Sequence, residues 1–419
     1  LKDNKNNSSN VILGFFVWPA LTLLFSLRNK NYKLVANLLW AFFMFYGFTF
    51  AIGVESDGSD ITQYVDILKN YYSNNLTTFT GLLVEHFDKG EFDFYIVVVT
   101  YIVSIFTDNY VYLTLVFAIV FGYFSSRNIK LLLENSNPSF GFIAILILLF
   151  FFVNPIFNIN GVRFYTALQM FTYGFLHFII KKDKKYLVFC FLTPIIHFSF
   201  YLAILIFSIA YLLRNNTFNV FVLYLVSILA SEIFSNELIS SFFSSVGFSA
   251  VDDRTNLYTN KELIDLYIDY NVTALNWYIE YLNKILSYTI NFLVITVYAY
   301  LGAIIHNNKF YKEFWGYAVS IMAIGNFLSQ HFVIGRYYYL GLSIIIPFFI
   351  VILSDPLSKS YFRRLGLFRN AITYSIIFFC LITFRIGLYS LSTSTFLSNP
   401  ILVFFIDKHL SINDLIKGL

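Results

Sequence analysis

Five stretches of this chain carry almost nothing that water would favour. Val11–Leu27, Leu34–Val54, Val111–Gly122, Phe140–Val153 and Phe218–Ala230 are apolar on every face. A helix on a soluble core keeps one polar side. Runs without one need an apolar solvent, and in lipid every backbone N–H and C=O must be satisfied internally, as helices do. The charged fraction agrees. It is 12% of 419 residues, about half the quarter found in soluble domains. The expected fold is an all-α polytopic membrane protein with about 10–12 membrane helices, some re-entrant or broken. It forms a single integral membrane domain over 1–419. The net charge of +4 reflects loop lysines and arginines and offers no nucleic-acid surface. Cys190 and Cys380 lie in separate apolar segments and read as buried side chains, with no disulfide and no metal site. The short polar start is followed by 11–27 without a small-residue cleavage site, so that run is expected as a retained helix.

The charges between the runs set the order of crossings. Arg28, Lys30 and Lys33 follow the first run, and the positive-inside rule places them in the cytoplasm. The second run returns outward to an acidic segment with Asp57, Asp60, Asp66, Glu85, Asp88, Glu91 and Asp93, the first external loop (54–93). Phe94–Phe106 and Tyr110–Tyr123 come next. If both crossed, Arg127–Lys130 and Lys181–Lys185 would lie outside, against the rule. A helix over 94–106 rises only about 20 Å, short of the roughly 30 Å hydrocarbon core. It is therefore expected to be re-entrant or interfacial on the outer side. Helices near 140–157 and 162–180 then exit and re-enter, with Arg163 at the outer surface. Pro194 and His197 interrupt Tyr186–Leu213, which has basic residues at both ends. Two half-helices meeting near His197 are expected, with one long kinked helix as the alternative. A second external loop covers 235–283, with Leu263–Tyr270 helical along the membrane. Crossings near 285–305, 313–334, 338–354 and 370–388 follow. The tail run Ile401–Ile406 stays at the outer interface.

Cations on the outer side work against the topological bias and need another explanation. Arg163 follows Gly161 at the head of an apolar helix, where the positive helix end and a planar guanidinium both favour an anion. The bland alternative is a structural pair with a carboxylate. Arg336 ends a helix and precedes three tyrosines, and snorkelling to headgroups is its alternative. For Arg385, snorkelling comes first. Asp57 and Asp60 sit in a polar turn just after a helix exit. Asp60 and Tyr64 are four apart and share a face if the turn continues as a helix. A carboxylate there suits the acceptance of a hydroxyl proton, against a solvated loop acid. His197 is the other candidate base, against a histidine capping a broken backbone. Asn160, Gln169 and Tyr337 flank these arginines. No HExxH, Walker loop, GxSxG, CxxC pair or GxGxxG is present.

These motifs occur in a fixed order: Asp57 to Tyr64, then Glu91-Phe-Asp-Phe94-Tyr95 opening a short helix, then Asn160-Gly-Val-Arg163 followed by Ala167, then Lys181–Lys185, His197-Phe-Ser199 and Arg336-Tyr-Tyr-Tyr339. Together they resemble the EpsG-like branch of bacterial Wzy-type polysaccharide (O-antigen) polymerases, over about 11–390. A departure is Phe198, where proline more often follows the histidine. The resemblance implies a membrane glycosyltransferase, type C-like in fold, at the periplasmic face of the inner membrane. It implies transfer of a growing glycan from undecaprenyl diphosphate onto a lipid-linked repeat unit. Its partners would be the undecaprenyl-diphosphate-linked oligosaccharide donor and acceptor, membrane lipid and a chain-length regulator of the Wzz type, with no cofactor, metal or nucleic acid. On that reading Arg163 and Arg336 take the diphosphate, and Asp60 or His197 is the base. Asp57, Tyr64, Asn160, Gln169, Tyr337 and Arg385 complete the substrate-binding set. Rivals are a lipid-linked oligosaccharide flippase, an O-antigen ligase and a membrane O-acyltransferase.

Overall fold

A computed structural model describes residues 2–26, 29–52, 60–73, 78–88, 93–136, 141–230, 277–329, 334–406 and 409–418. Among them the only β pairing is an isolated bridge between Ser392 and Ser411, and the chain is an all-α polytopic membrane protein. In chain order the helices are α1 Lys2–Val17, α2 Pro19–Ser26, α3 Tyr32–Phe48, α4 Asp60–Ser73, α5 Phe79–Asp88, α6 Tyr95–Ser104 and α7 Tyr110–Glu134. They continue with α8 Gly141–Val153, α9 Val162–Lys181, α10 Leu187–Ile196, α11 Phe200–Leu213 and α12 Thr217–Ala230. The last are α13 Trp277–Asn307, α14 Lys309–Leu328, α15 Tyr337–Ser354, α16 Pro356–Arg363, α17 Gly366–Gly387, α18 Thr393–Leu397 and α19 Ile412–Gly418. Among the described residues, five stretches are long and apolar enough to cross a membrane: α7, the run from α8 through α9, α13, α15 and α17. Shorter apolar helices are α3, α6, α11 and α12.

One boundary differs from expectation for a backbone reason. The run 11–27 is not one helix. Its helix starts already at Lys2, and Pro19, which has no N–H, ends it and opens α2. The Tyr186–Leu213 run does break, with α10 ending at Ile196 and α11 starting at Phe200. Pro194 leaves the Cys190 carbonyl without its helical donor, and the Thr193 hydroxyl supplies one at 2.6 Å. Helix α6 has 10 residues, which rise about 15 Å, half a hydrocarbon core. Residues 263–270, expected as a helix along the membrane, lie outside the described residues.

The chain divides into two compact units. Unit 1 holds 1–135, 154–201 and 384–419; unit 2 holds 136–153 and 202–383. In unit 1, α3 lies against α7 and α7 against α9. A side chain at Gly47 would collide with Ala118 and the Thr114 carbonyl, and one at Gly122 with Phe43. Small residues thus let α3 and α7 approach closely, as membrane helices do, and Thr114 Oγ1 donates across to Gly47 O at 2.7 Å. The tail returns onto α3: Thr49 and Thr395 share a hydroxyl bond at 2.7 Å, and Tyr46 and Ser390 another at 2.9 Å. In unit 2, α15 is the centre and is mostly buried, whereas α17 is mostly exposed at the periphery. Trp315 is fully buried there against Tyr298 and Phe348.

Candidate functional site

The site lies in unit 1, where the first loop meets the head of α9. Helix α4 exists because the first loop carries a helical stripe. Ile61, Tyr64, Val65 and Leu68 recur at helical spacing and are its buried residues. Asp60 opens the helix, where an acid is favoured. The stripe packs toward α6, α7 and the 3-10 turn Ile156–Gly161 that leads into α9. Asp60 and Tyr64, one turn apart, are thereby both carried to the head of α9.

Arg163 is held from two sides. Its Nε donates to the Tyr64 hydroxyl at 3.0 Å, and its Nη1 to Asp93 Oδ2 at 3.3 Å. Tyr64 also presents its ring to the guanidinium, 5.7 Å from Cζ to the centroid. Asp93 is 2% exposed, whereas the Arg163 side chain is 31% exposed. A guanidinium has five N–H donors. Two are committed, and among the described residues Nη2 has no hydrogen-bond partner. Burial pushes the Tyr64 phenol up to about 12, partly opposed by Arg163. At neutral pH it is therefore an uncharged acceptor for Arg163 whose own proton remains available.

Asp60 belongs to the same cluster. A side chain at Gly161 would come 3.2 Å from the Tyr165 ring and 3.9 Å from Asp60 Oδ2. Glycine at 161 keeps that approach open. Asp93 sits just before α6, and the N–H of Phe94 donates to Ile195 O at 3.0 Å near the end of α10. His86, on α5, reaches the Asp93 backbone oxygen with Nε2 at 2.9 Å and its carboxylate Oδ1 at 3.8 Å. The cluster thus draws on the ends of α4, α5, α6 and α9.

A family model for the EpsG family matches residues 38–400. The chain belongs to the EpsG family. No curated protein and no solved structure matches it.

Within this EpsG-family chain the expected residues separate. Arg163, Tyr64 and Asp60 are brought together. His197 is engaged elsewhere. The Ser199 N–H can only donate, so Nδ1 accepts it, at 3.2 Å. The neutral ring then carries its proton on Nε2. The Ser199 hydroxyl also lies 2.9 Å from Nδ1, and the ring stands edge-on to Phe164. His197 thus caps the start of α11. Gln169 is 4% exposed. It receives Asn128 Nδ2 at 2.9 Å on Oε1 and donates to Asn154 O at 3.5 Å. Its amide ties α7 to α9. Asn160 is exposed on the 3-10 turn before Arg163. Arg385 reaches Asn413 Oδ1 at 3.3 Å, so it anchors the tail. Arg336 is exposed and Tyr337 buried in unit 2, at the head of α15. Asp57 lies outside the described residues. Asp93 and His86 were not singled out from sequence, although an intramembrane arginine demands a carboxylate and Asp93 is the acid directly before the short apolar helix.

Proposed function

We propose that this EpsG-family membrane protein is a polysaccharide polymerase that joins undecaprenyl-diphosphate-linked repeat units at the outer face of the bacterial inner membrane, O-antigen units being the case the sequence resembles. The observation that carries the reading is a half-committed, partly exposed guanidinium beside a carboxylate at the edge of an apolar bundle. In the transfer, an acceptor sugar hydroxyl oxygen bonds to the anomeric carbon of the donor glycan. The bond from that carbon to the diphosphate oxygen breaks, and its electron pair leaves with the lipid diphosphate. Charge develops on phosphate oxygens, and the remaining N–H donors of Arg163 stabilise it where water is scarce. The hydroxyl proton passes to Asp60, which the geometry favours over His197 because the His197 Nδ1 lone pair is already in use. Arg336 is proposed independently as a second diphosphate ligand, to be tested by its own substitution. The donor and acceptor lipids, and a chain-length regulator of the Wzz type, are part of the same proposal.

The test is the surface polysaccharide of a strain carrying only Arg163→Gln. Single repeat units without long chains are expected on a gel. A normal ladder would sink the proposal. Loss of single-repeat products as well would point to a flippase or a ligase.

A further inference from the structure

The arginine proposed for the diphosphate already has an anion. Asp93 is among the most buried charged residues in unit 1 and lies 3.3 Å from Nη1. A diphosphate arriving on the open side of the guanidinium meets a like charge across one small group. Like charges at such spacing oppose each other even at a high effective dielectric. His86 Nε2 donates to the Asp93 backbone oxygen at 2.9 Å and stands 3.8 Å from Oδ1, too far for a hydrogen bond to the carboxylate. The backbone of Asp93 is therefore fixed in place when Arg163 turns toward a ligand.

We propose that Asp93 is a counter-ion that competes with the diphosphate for Arg163, keeping ground-state binding weak and recapturing the guanidinium so that the diphosphate product leaves. His86 is the positioning residue that retains Asp93 during the exchange. The inference rests on the diphosphate reading of Arg163. It gives Asp93 an unusual sign: removing its charge tightens anion binding. A carboxylate that merely braces the fold gives the opposite sign or none, because loosening the arginine weakens the site.

The test uses the full-length protein in detergent with inorganic pyrophosphate as the probe, measured by calorimetry. Asp93→Asn is expected to bind pyrophosphate about tenfold more tightly than wild type, the size of a like-charge repulsion of ~1.4 kcal/mol removed. Asp93→Glu keeps the charge and is expected to stay near wild type. Asp93→Ser, smaller but still offering a hydroxyl to Arg163, must show the same gain if Asp93→Asn does not fold. In multiple-turnover assays the neutral variants should slow after the first round as inorganic pyrophosphate or the diphosphate product is retained. Unchanged or weaker pyrophosphate binding in a folded neutral variant overturns the proposal and leaves the diphosphate reading standing. No pyrophosphate binding by the wild-type protein overturns both.

Discussion

Replacing Arg163 removes two things at once, a buried ion pair and a set of anion donors, and second-site changes separate them. Arg163→Ala takes the partner from Asp93, which is 2% exposed. Breaking a buried pair from one side costs about 3–5 kcal/mol, because the other charge is left uncompensated. Asp93→Asn is milder. Arg163 is 31% exposed, keeps its bond to Tyr64 and can still donate to the asparagine oxygen, so about 1 kcal/mol is expected. The double change Arg163→Gln with Asp93→Asn leaves two neutral amides able to bond each other, and should fall within about 1 kcal/mol of wild type. Thermal unfolding in detergent, followed by tryptophan fluorescence, should give the order wild type, double variant and Asp93→Asn close together, with Arg163→Ala well below. Polysaccharide from the same strains answers the second question. The double variant should make no long chains although its stability has returned. If it restores the ladder, the arginine is structural and the polymerase reading loses its centre. If Arg163→Ala melts with wild type, the pair carries no stability and the burial argument is wrong.

The two candidate bases separate by substitution. Asp60→Asn should lower polymerisation by about a hundredfold or more, the usual range for losing a general base. His197→Ala should cost about 1 kcal/mol through the uncapped Ser199 N–H and leave long chains in place; a reversed pattern would restore His197 as base. The side on which Arg163 lies is read with an impermeant thiol reagent on intact cells, since α9 is 20 residues long, about 30 Å. Thr80→Cys should label and Lys184→Cys should not; labelling at 184 puts Arg163 in the cytoplasm. Pyrophosphate binding to wild-type protein should be flat or slightly stronger with added salt, because screening weakens repulsion from Asp60 and Asp93 as much as attraction to Arg163. A steep fall with salt would indicate a basic patch instead.

The class of fold was legible because hydropathy acts locally: an apolar run needs lipid wherever it falls. The break near His197 was legible for a similar reason, since Pro194 removes a donor at a known place. Pro19 does the same within 11–27 and was read through, because apolar content says nothing about backbone donors. The Asp60–Tyr64 pair followed from helical spacing, and the outer position expected for Arg163 from loop charge. What the sequence could not carry was partner choice. Asp93 is 70 positions from Arg163, and its place depends on how α6 starts against the end of α10. Gln169 shows the same dependence on packing. A polar side chain on an apolar helix faces either a ligand or another helix, and only packing decides that Asn128 and Asn154 claim it.

That packing changes what the arginine can do. Alone at an outer surface, it would attract any anion from a distance. Paired with Asp93 and near Asp60, it belongs to a cluster whose described charges are net negative, so long-range attraction is cancelled. What remains is short-range: N–H donors at fixed positions, available to a ligand that fits closely enough to outcompete a carboxylate already in place. Headgroup phosphates are abundant at a membrane surface, and a strongly attractive arginine there would be occupied by them. A guarded one discriminates by contact. On the proposed reading, a lipid diphosphate, whose glycan adds binding energy beyond the phosphate, displaces Asp93 where a plain headgroup does not.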